Sequence, residues 1–280
     1  MAVITLTTDF GLKDHFIAQV KGRILTLNAS ASIVDISHEI SPFNLKEAAY
    51  VVRNAYSEFP DKSIHIIGIN SSITPGGRHV IVKAKNHFFI AADNGIIPAI
   101  VGLSNIEEVI EITAYTDFSS FVELETFSKI AIHLLKGGSL ALLGKQAQDL
   151  YNYPQQYGII SEDASQIFGE VIYIDRFGNL VTNIRKVDVE ARRSGRKTQV
   201  HLRNHQIDHI YENLNDFSTK IIKDELANRA ALGKQIAHYN TAGHLQISIY
   251  KGVPGLTGSA ETLLGMQIGS SVNLLFISET

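Results

Sequence analysis

Apolar, β-branched runs alternate with stretches of helical period along the first half of this 280-residue chain, and that alternation confines it to an α/β fold. Ala2 to Thr7 (AVITLT) reads as a buried strand. It runs into Thr7-Thr8-Asp9-Phe10-Gly11, a turn carrying a carboxylate and a glycine. Asp14 to Asn28 then sets Phe16, Val20, Ile24 and Leu27 on one face, which predicts a helix. A carboxylate beside a glycine at the carboxyl end of a first strand is where an open α/β sheet receives a ligand. An Asp at that place can accept two hydrogen bonds from a vicinal diol such as a ribose.

The pattern continues through a short buried strand at Ile33 to Ile36 and a turn region at His38 to Phe43 that contains Pro42. Asn44 with Glu47 three residues on predicts a capping box opening a helix to about Phe59, with Pro60 behind it. Ile64 to Ile69, His79 to Ala84 and His87 to Ala92 read as strands, with His65 and His87 at strand-surface positions. Thr126 to Lys136 reads as a helix ending at Gly137. Tyr151 to Gln166 loses the period and turns polar, so the expected division is an α/β domain over 1–150, a linker over 151–167 and a smaller β-rich domain over 168–280. In the last of these, short strands at Glu170 to Ile174, Leu180 to Ile184, Gln199 to Arg203, Leu245 to Tyr250 and Val272 to Ile277 predict a sandwich or barrel.

A net charge of −3 without a basic stripe argues against nucleic acid as partner. The absence of cysteine excludes disulfides, thiolate metal sites and thiol nucleophiles. No apolar run reaches spanning length and no leader pattern opens the chain, so a cytoplasmic protein without a membrane partner is expected. The histidines lack the spacing of a metal site, so no metal is expected.

Four polar clusters carry candidate chemistry. Asp9 with Asp14 is the first, although Asp14 equally suits the first turn of a helix. The loop Asn70 to Arg78 leaves an apolar strand and reads as a ligand lip or as an ordinary connection. Asp93-Asn94-Gly95 is a turn. Asp175-Arg176-Phe177-Gly178-Asn179 sets an aromatic beside glycine between a carboxylate and an amide, a group able to stack on and hydrogen-bond a base; a hairpin turn is the alternative. These residues by themselves indicate a two-domain protein with a nucleoside-type pocket.

Taken in order, TTDFGLKDHF, IVDISHEISPFNLKEAAY, Asn70 to Arg78, AADNG, IDRFGNLVTNI and NTAGHLQISI resemble the S-adenosylmethionine (SAM) hydrolases over essentially the whole chain. These are also called SAM hydroxide adenosyltransferases and are relatives of the fluorinase and chlorinase. The resemblance implies a homotrimer that holds SAM between the N-terminal domain of one subunit and the C-terminal domain of its neighbour, with no cofactor and no metal. It implies that Asp9, in a segment with Phe10 and Asp14, holds the ribose, and that Phe43 lines the pocket. Asp175 would meet the methionine ammonium, Phe177 and Asn179 the adenine, and the loop of Asn240 and Thr241 would close over the ligand. The sulfonium is itself a leaving group, so a positioned water can attack C5′ in line.

The chain departs from the family pattern at three places. The Asp of the family's DPGVGTxRR loop is Asn70; the first Arg falls on Gly77, and only the second survives, as Arg78. The His of the family's TFHGRD segment aligns with Val122, and the next position carries Glu123. An amide cannot take a proton as a carboxylate can, and loss of general-base help costs about a hundred- to ten-thousandfold in rate. Asn70, Arg78 and Glu123 are therefore the candidate catalytic set, with Glu123 as a replacement base or an attractor of the sulfonium. A carboxylate there argues against a halide site. The expected activity is hydrolysis of SAM to adenosine and L-methionine. A SAM or adenosine binder without turnover is the alternative, and an adenosyl transfer to another nucleophile is a third reading.

Overall fold

The computed structural model describes residues 2–72, 77–115, 120–152 and 157–277. The chain divides into two compact units, residues 1–155 and 156–280. Ile73 to Gly76 of the candidate ligand lip and residues 153–156 of the expected linker lie outside the described residues.

The first unit runs β1 (Ile4–Thr8), α1 (Phe16–Leu27), β2 (Ile33–Ser37), α2 (Leu45–Arg53), β3 (Ile64–Gly68), β4 (His79–Ala84), β5 (His87–Ala92), α3 (Ile96–Val101), β6 (Ile106–Ile112), α4 (Ser128–Leu135) and β7 (Gly144–Gln146). Its seven strands are ordered β2-β1-β3-β5-β4-β6-β7, parallel from β2 to β5 and antiparallel beyond. Two apolar layers sandwich the sheet. Ile4, Leu6, Ile64 and Ile66 pack on one face with α1 and α4, while Ile67, Ile69, Val80 and Phe89 pack on the other with α2 and α3. Each such side chain contributes about 1.5–3 kcal/mol by leaving water.

Burial on both faces corrects the placement of two histidines. His65 is 0% exposed and His87 is buried, because β3 and β5 are interior strands whose alternation does not mark a solvated side. The reverse holds for β2, expected to be buried. It is the edge of the sheet, and Val34 and Asp35 are exposed. Helix α2 ends at Arg53 rather than near Phe59, and a single 3₁₀ turn at Tyr56–Glu58 fills the stretch before Pro60. Asn44 caps it by accepting from the Glu47 N–H, while the Glu47 carboxylate reaches back to the Ser41 N–H at 3.1 Å. The helix expected from Thr126 is preceded by a wide π turn, Glu123–Phe127.

The second unit runs β8 (Ile159–Ile160), β9 (Gln166–Ile174), β10 (Leu180–Arg185), α5 (Lys186–Arg193), β11 (Lys197–Leu202), β12 (His205–Ile207), β13 (Ile210–Tyr211), α6 (Leu214–Ile221), α7 (Glu225–Ala231), β14 (Gln235–Tyr239), β15 (His244–Ile249), α8 (Ala260–Leu264) and β16 (Ser271–Ile277). Eight of its nine strands follow the order β12-β11-β16-β9-β10-β15-β14-β13, with β8 added beside β9. The ends approach each other, β12 to β14 and β11 to β13, so the sheet is nearly a closed barrel. Its interior is filled by Ile167, Val171, Leu180, Leu245, Ile247, Val272 and Leu274. Strand β8 and the start of β9 thus occupy part of the stretch expected to be linker. Among the described residues no helix is long and apolar enough to cross a membrane.

Candidate active site

Strand β1 lies between β2 and β3, and the chain leaves it first to one side and then to the other. The carboxyl ends of β1 and β3 therefore flank the point where strand order reverses, and Thr8 pairs with Gly68 there. After β1 comes Asp9-Phe10-Gly11; after β3 comes Ile69-Asn70-Ser71. The Asp9 Oδ2 accepts the Phe43 N–H at 2.8 Å. Phe43 there is in a left-handed conformation (φ 63°) and the residue is 70% exposed. Phe10 packs instead against Phe16 and Phe121, each at 5.7 Å between ring centres. Asp14 is exposed ahead of α1, whose N-cap is His15.

The Glu123 carboxylate enters this region from the π turn. It is 3% exposed and its Oε1 accepts the hydroxyl of Ser71. A Cβ on Gly68 would sit 2.8 Å from that same oxygen, so the glycine at the end of β3 is what makes room for the acid. Burial above all, and the charge of Asp9, push the Glu123 carboxyl up, with the Ser71 hydrogen bond opposing them. Glu125 points elsewhere, to Arg23 at 3.1 Å. The Ser71 carbonyl accepts His79 Nε2–H at 2.7 Å. Asn70 is exposed and left-handed (φ 46°), and the Asn94 amide donates to the carbonyls of Ile69 at 3.0 Å and Asn70 at 3.4 Å.

Arg78 is turned to a different set of acids. It meets Asp93 at 2.8 Å, Asp149 at 3.0 Å and Glu111 at 3.4 Å, and thereby fastens the turn that carries Asn94. Val122 opens the π turn and packs against the apolar layer. The sequence placed Ser71 in the candidate loop Asn70 to Arg78 but did not point to its bond with Glu123, nor to Gly68 or His79 at this place. The one signal available was a glycine closing an otherwise apolar strand, IHIIG.

In the second unit, Asp175 to Asn179 joins β9 to β10. The Asp175 Oδ1 accepts the N–H groups of Phe177 and Asn179, both at 2.9 Å, and Oδ2 accepts the Asn179 side-chain amide at 2.8 Å. Phe177 is left 68% exposed at the tip. The loop between β14 and β15 is built the same way: Asn240 Oδ1 accepts the N–H groups of Ala242 and His244, both at 3.0 Å. Asn240 and exposed Thr241 line an open cleft of ≈ 550 Å³ with Glu212, His238, Tyr239 and Gln246. His238 is buried and donates or accepts at Ser248 Oγ, 3.0 Å away. Among the described residues no cluster of His, Asp and Glu could hold a metal ion.

Two family models match this chain: the SAM hydroxide adenosyltransferase N-terminal domain over residues 4–144 and its C-terminal domain over 169–273. Among curated relatives, the (R)-S-adenosyl-L-methionine hydrolase of Methanocaldococcus jannaschii is 31% identical over 67% of this chain and 68% of its own. A fluorinase of Actinopolyspora mzabensis is 20% identical over 88% of this chain and 90% of its own. A crystal structure of a Thermotoga maritima protein superposes with a TM-score of 0.80 at 24% identity, over 98% of this chain and 100% of that one, a likeness of fold. The chain belongs to the SAM hydroxide adenosyltransferase family.

Proposed function

We propose that this protein hydrolyses SAM to adenosine and L-methionine by attack of water at C5′. Family membership and the relative named a SAM hydrolase support the reading. The observation that carries it is a pair of carboxylates at the strand-order reversal, Asp9 after β1 and Glu123 lodged against Gly68 and Ser71 at the end of β3, suited to a cationic sulfonium and its ribose. The same pair repels an anion, which disfavours halide as the nucleophile.

In this reading Asp9 holds the ribose hydroxyls, with Phe10 and Asp14 shaping its turn, and Phe43 covers the adenosyl group. Asn70 lines the ligand's edge, and Arg78 supports it by fixing the Asp93–Asn94 turn. Phe177 and Asn179 take the adenine. A carboxylate offers about four lone-pair sites; Asp175 spends three on its own turn, leaving one for the methionine ammonium. Asn240 and Thr241 close over the ligand. The two half-sites are completed across neighbouring subunits of a homotrimer in the cytoplasm.

The test is incubation of the pure protein with SAM and chromatography of the products. Adenosine and methionine in equal amounts are expected. Adenosine no higher than in the protein-free buffer would overturn the reading.

A further inference from the structure

We infer that Glu123 is the general base of this site, held by the Ser71 hydroxyl and admitted by Gly68, so that this chain draws its proton acceptor from the π turn. The inference rests on the hydrolase reading and assigns the residue that activates water. Asn70 and Val122 cannot accept a proton, and Arg78 is committed to Asp93, Asp149 and Glu111. Of the buried carboxylates among the described residues, Glu47 is engaged with the Ser41 N–H at the start of α2 and Asp93 with Arg78, while Glu123 lies at the end of β3.

Its surroundings suit the task. Burial, and to a lesser degree the charge of Asp9, push the carboxyl above its ordinary range, which makes it a better proton acceptor than an exposed Glu. The Ser71 O–H holds Oε1 and so fixes the carboxylate plane. The groups facing it are Asp9 from the turn after β1, Ser71 after β3, and His79 behind the Ser71 carbonyl. Burial lowers the affinity of His79 for a proton, with its bond to that carbonyl opposing the shift, so the ring is a neutral donor at neutral pH. Glu125, on the same turn, is occupied by Arg23. A π turn widens the helix by one residue, and such turns recur at functional sites.

The step balances without a metal. A water oxygen forms a bond to C5′ as the C5′–S bond breaks. The electron pair of that bond stays on sulfur, giving the neutral thioether of methionine. The water proton passes to the Glu123 carboxylate and leaves to solvent with the products.

The experiment compares the wild type with Glu123→Gln and Ser71→Ala, measuring SAM turnover across pH and SAM binding by calorimetry. Glu123→Gln is expected to lose about a hundred- to ten-thousandfold in kcat, a fall well beyond any loss of SAM affinity from the missing charge. Ser71→Ala removes a donor to the charged form, so the acid limb of its kcat profile is expected to move to higher pH. A buried acid that merely supports the fold would tolerate its isosteric amide. Adenosine from the wild type together with wild-type kcat in Glu123→Gln overturns this inference alone. No adenosine from the wild type overturns the hydrolase reading first. Should Glu123→Gln fail to fold, the Ser71→Ala profile decides, and an unmoved acid limb overturns the inference.

Discussion

His38 Nδ1 lies 2.8 Å from Thr8 Oγ1, and both side chains are buried directly beneath the Asp9 turn. The His38 carbonyl also accepts the Gly11 N–H at 2.8 Å, so one residue fastens both ends of that turn. On its outer side, Nε2 is 3.1 Å from Asp35 Oδ1, within ion-pair reach though not aligned as a hydrogen bond. Burial works against the Asp35 carboxylate, but Lys21 and His38 more than offset it and hold it below the usual range. A run of polar groups, buried at Thr8 and His38 and reaching the surface at Asp35, thus sets the conformation of the Asp9 turn.

Replacing His38 with Ala is therefore expected to act on binding and stability together. Leaving the Thr8 hydroxyl buried without its partner costs about 1–3 kcal/mol. Looser placement of Asp9 should weaken SAM binding by roughly tenfold, the equivalent of about 1.4 kcal/mol. Thermal melting and calorimetric titration with SAM measure the two effects. A variant that binds SAM as tightly as the wild type would remove His38 from the positioning of Asp9.

The buried histidine pair makes stability depend on pH. His65 Nδ1 is 2.7 Å from Thr5 Oγ1 and its Nε2 is 3.0 Å from His87 Nδ1. Burial, then the charge of His87, lowers His65 from 6.5 to about 3. Above pH 6.5 the ring is neutral in both the folded and the unfolded chain, and its contribution is constant. Below that value the unfolded chain takes up a proton that the folded one refuses, so stability falls until pH approaches 3. One such group gives a slope of about 1.4 kcal/mol per pH unit. His79, His87 and His238 are also lowered by burial and add to the slope. Denaturant unfolding of His65→Gln between pH 4 and 6.5 should show a slope reduced by about one proton. An unchanged slope would mean that His65 titrates normally.

Gly68→Ala should disturb Glu123 before anything else. The added Cβ would meet the Glu123 Oε1 at 2.8 Å and its Cγ at 2.9 Å. Overpacking of this kind costs about 1–3 kcal/mol. If the clash is with Glu123, shortening the acid must relieve it, so Gly68→Ala with Glu123→Ala should melt above the sum of the two single changes. Strict additivity of the melting shifts would place the strain elsewhere on β3.

How far the sequence carried depends on what each residue's neighbours do. The β1-to-α1 turn was legible because an apolar run, a carboxylate and a glycine follow one another along the chain. The Asn240 loop and the Asp175 turn were legible for the same reason, since Asn and Asp bond to the backbone two to four residues on. His65 and His87 were misplaced because burial on both faces is a property of strand order, which local alternation does not encode. Helices α5 to α8 went unread in a half dominated by strand patterns. They are five to eight residues long, too short for a period to emerge. Glu123 was visible as a residue out of place, but its partners Gly68 and Ser71 come from the end of a strand and the loop after it, more than fifty positions away.

Asp175 offers the sharpest separation of structure from recognition. Its carboxylate builds the turn through three hydrogen bonds, and the proposed site also asks its charge to meet the methionine ammonium. Asp175→Asn can keep the turn, because one amide oxygen accepts both backbone N–H groups and the Asn179 amide can rotate to receive the new donor. Asp175→Ala cannot, and the exposed ring of Phe177 then loses its support. Gly178 belongs to the same turn: it sits at φ 70° against Ser259, with no room for a Cβ. Asp175→Asn should thus bind adenosine normally while losing about ten- to a hundredfold in SAM affinity, the loss of one charge-assisted hydrogen bond of about 1.5–3 kcal/mol. Asp175→Ala should lose affinity for both ligands. Equal SAM affinity in Asp175→Asn and the wild type would confine Asp175 to the turn, and the ammonium would then need another partner.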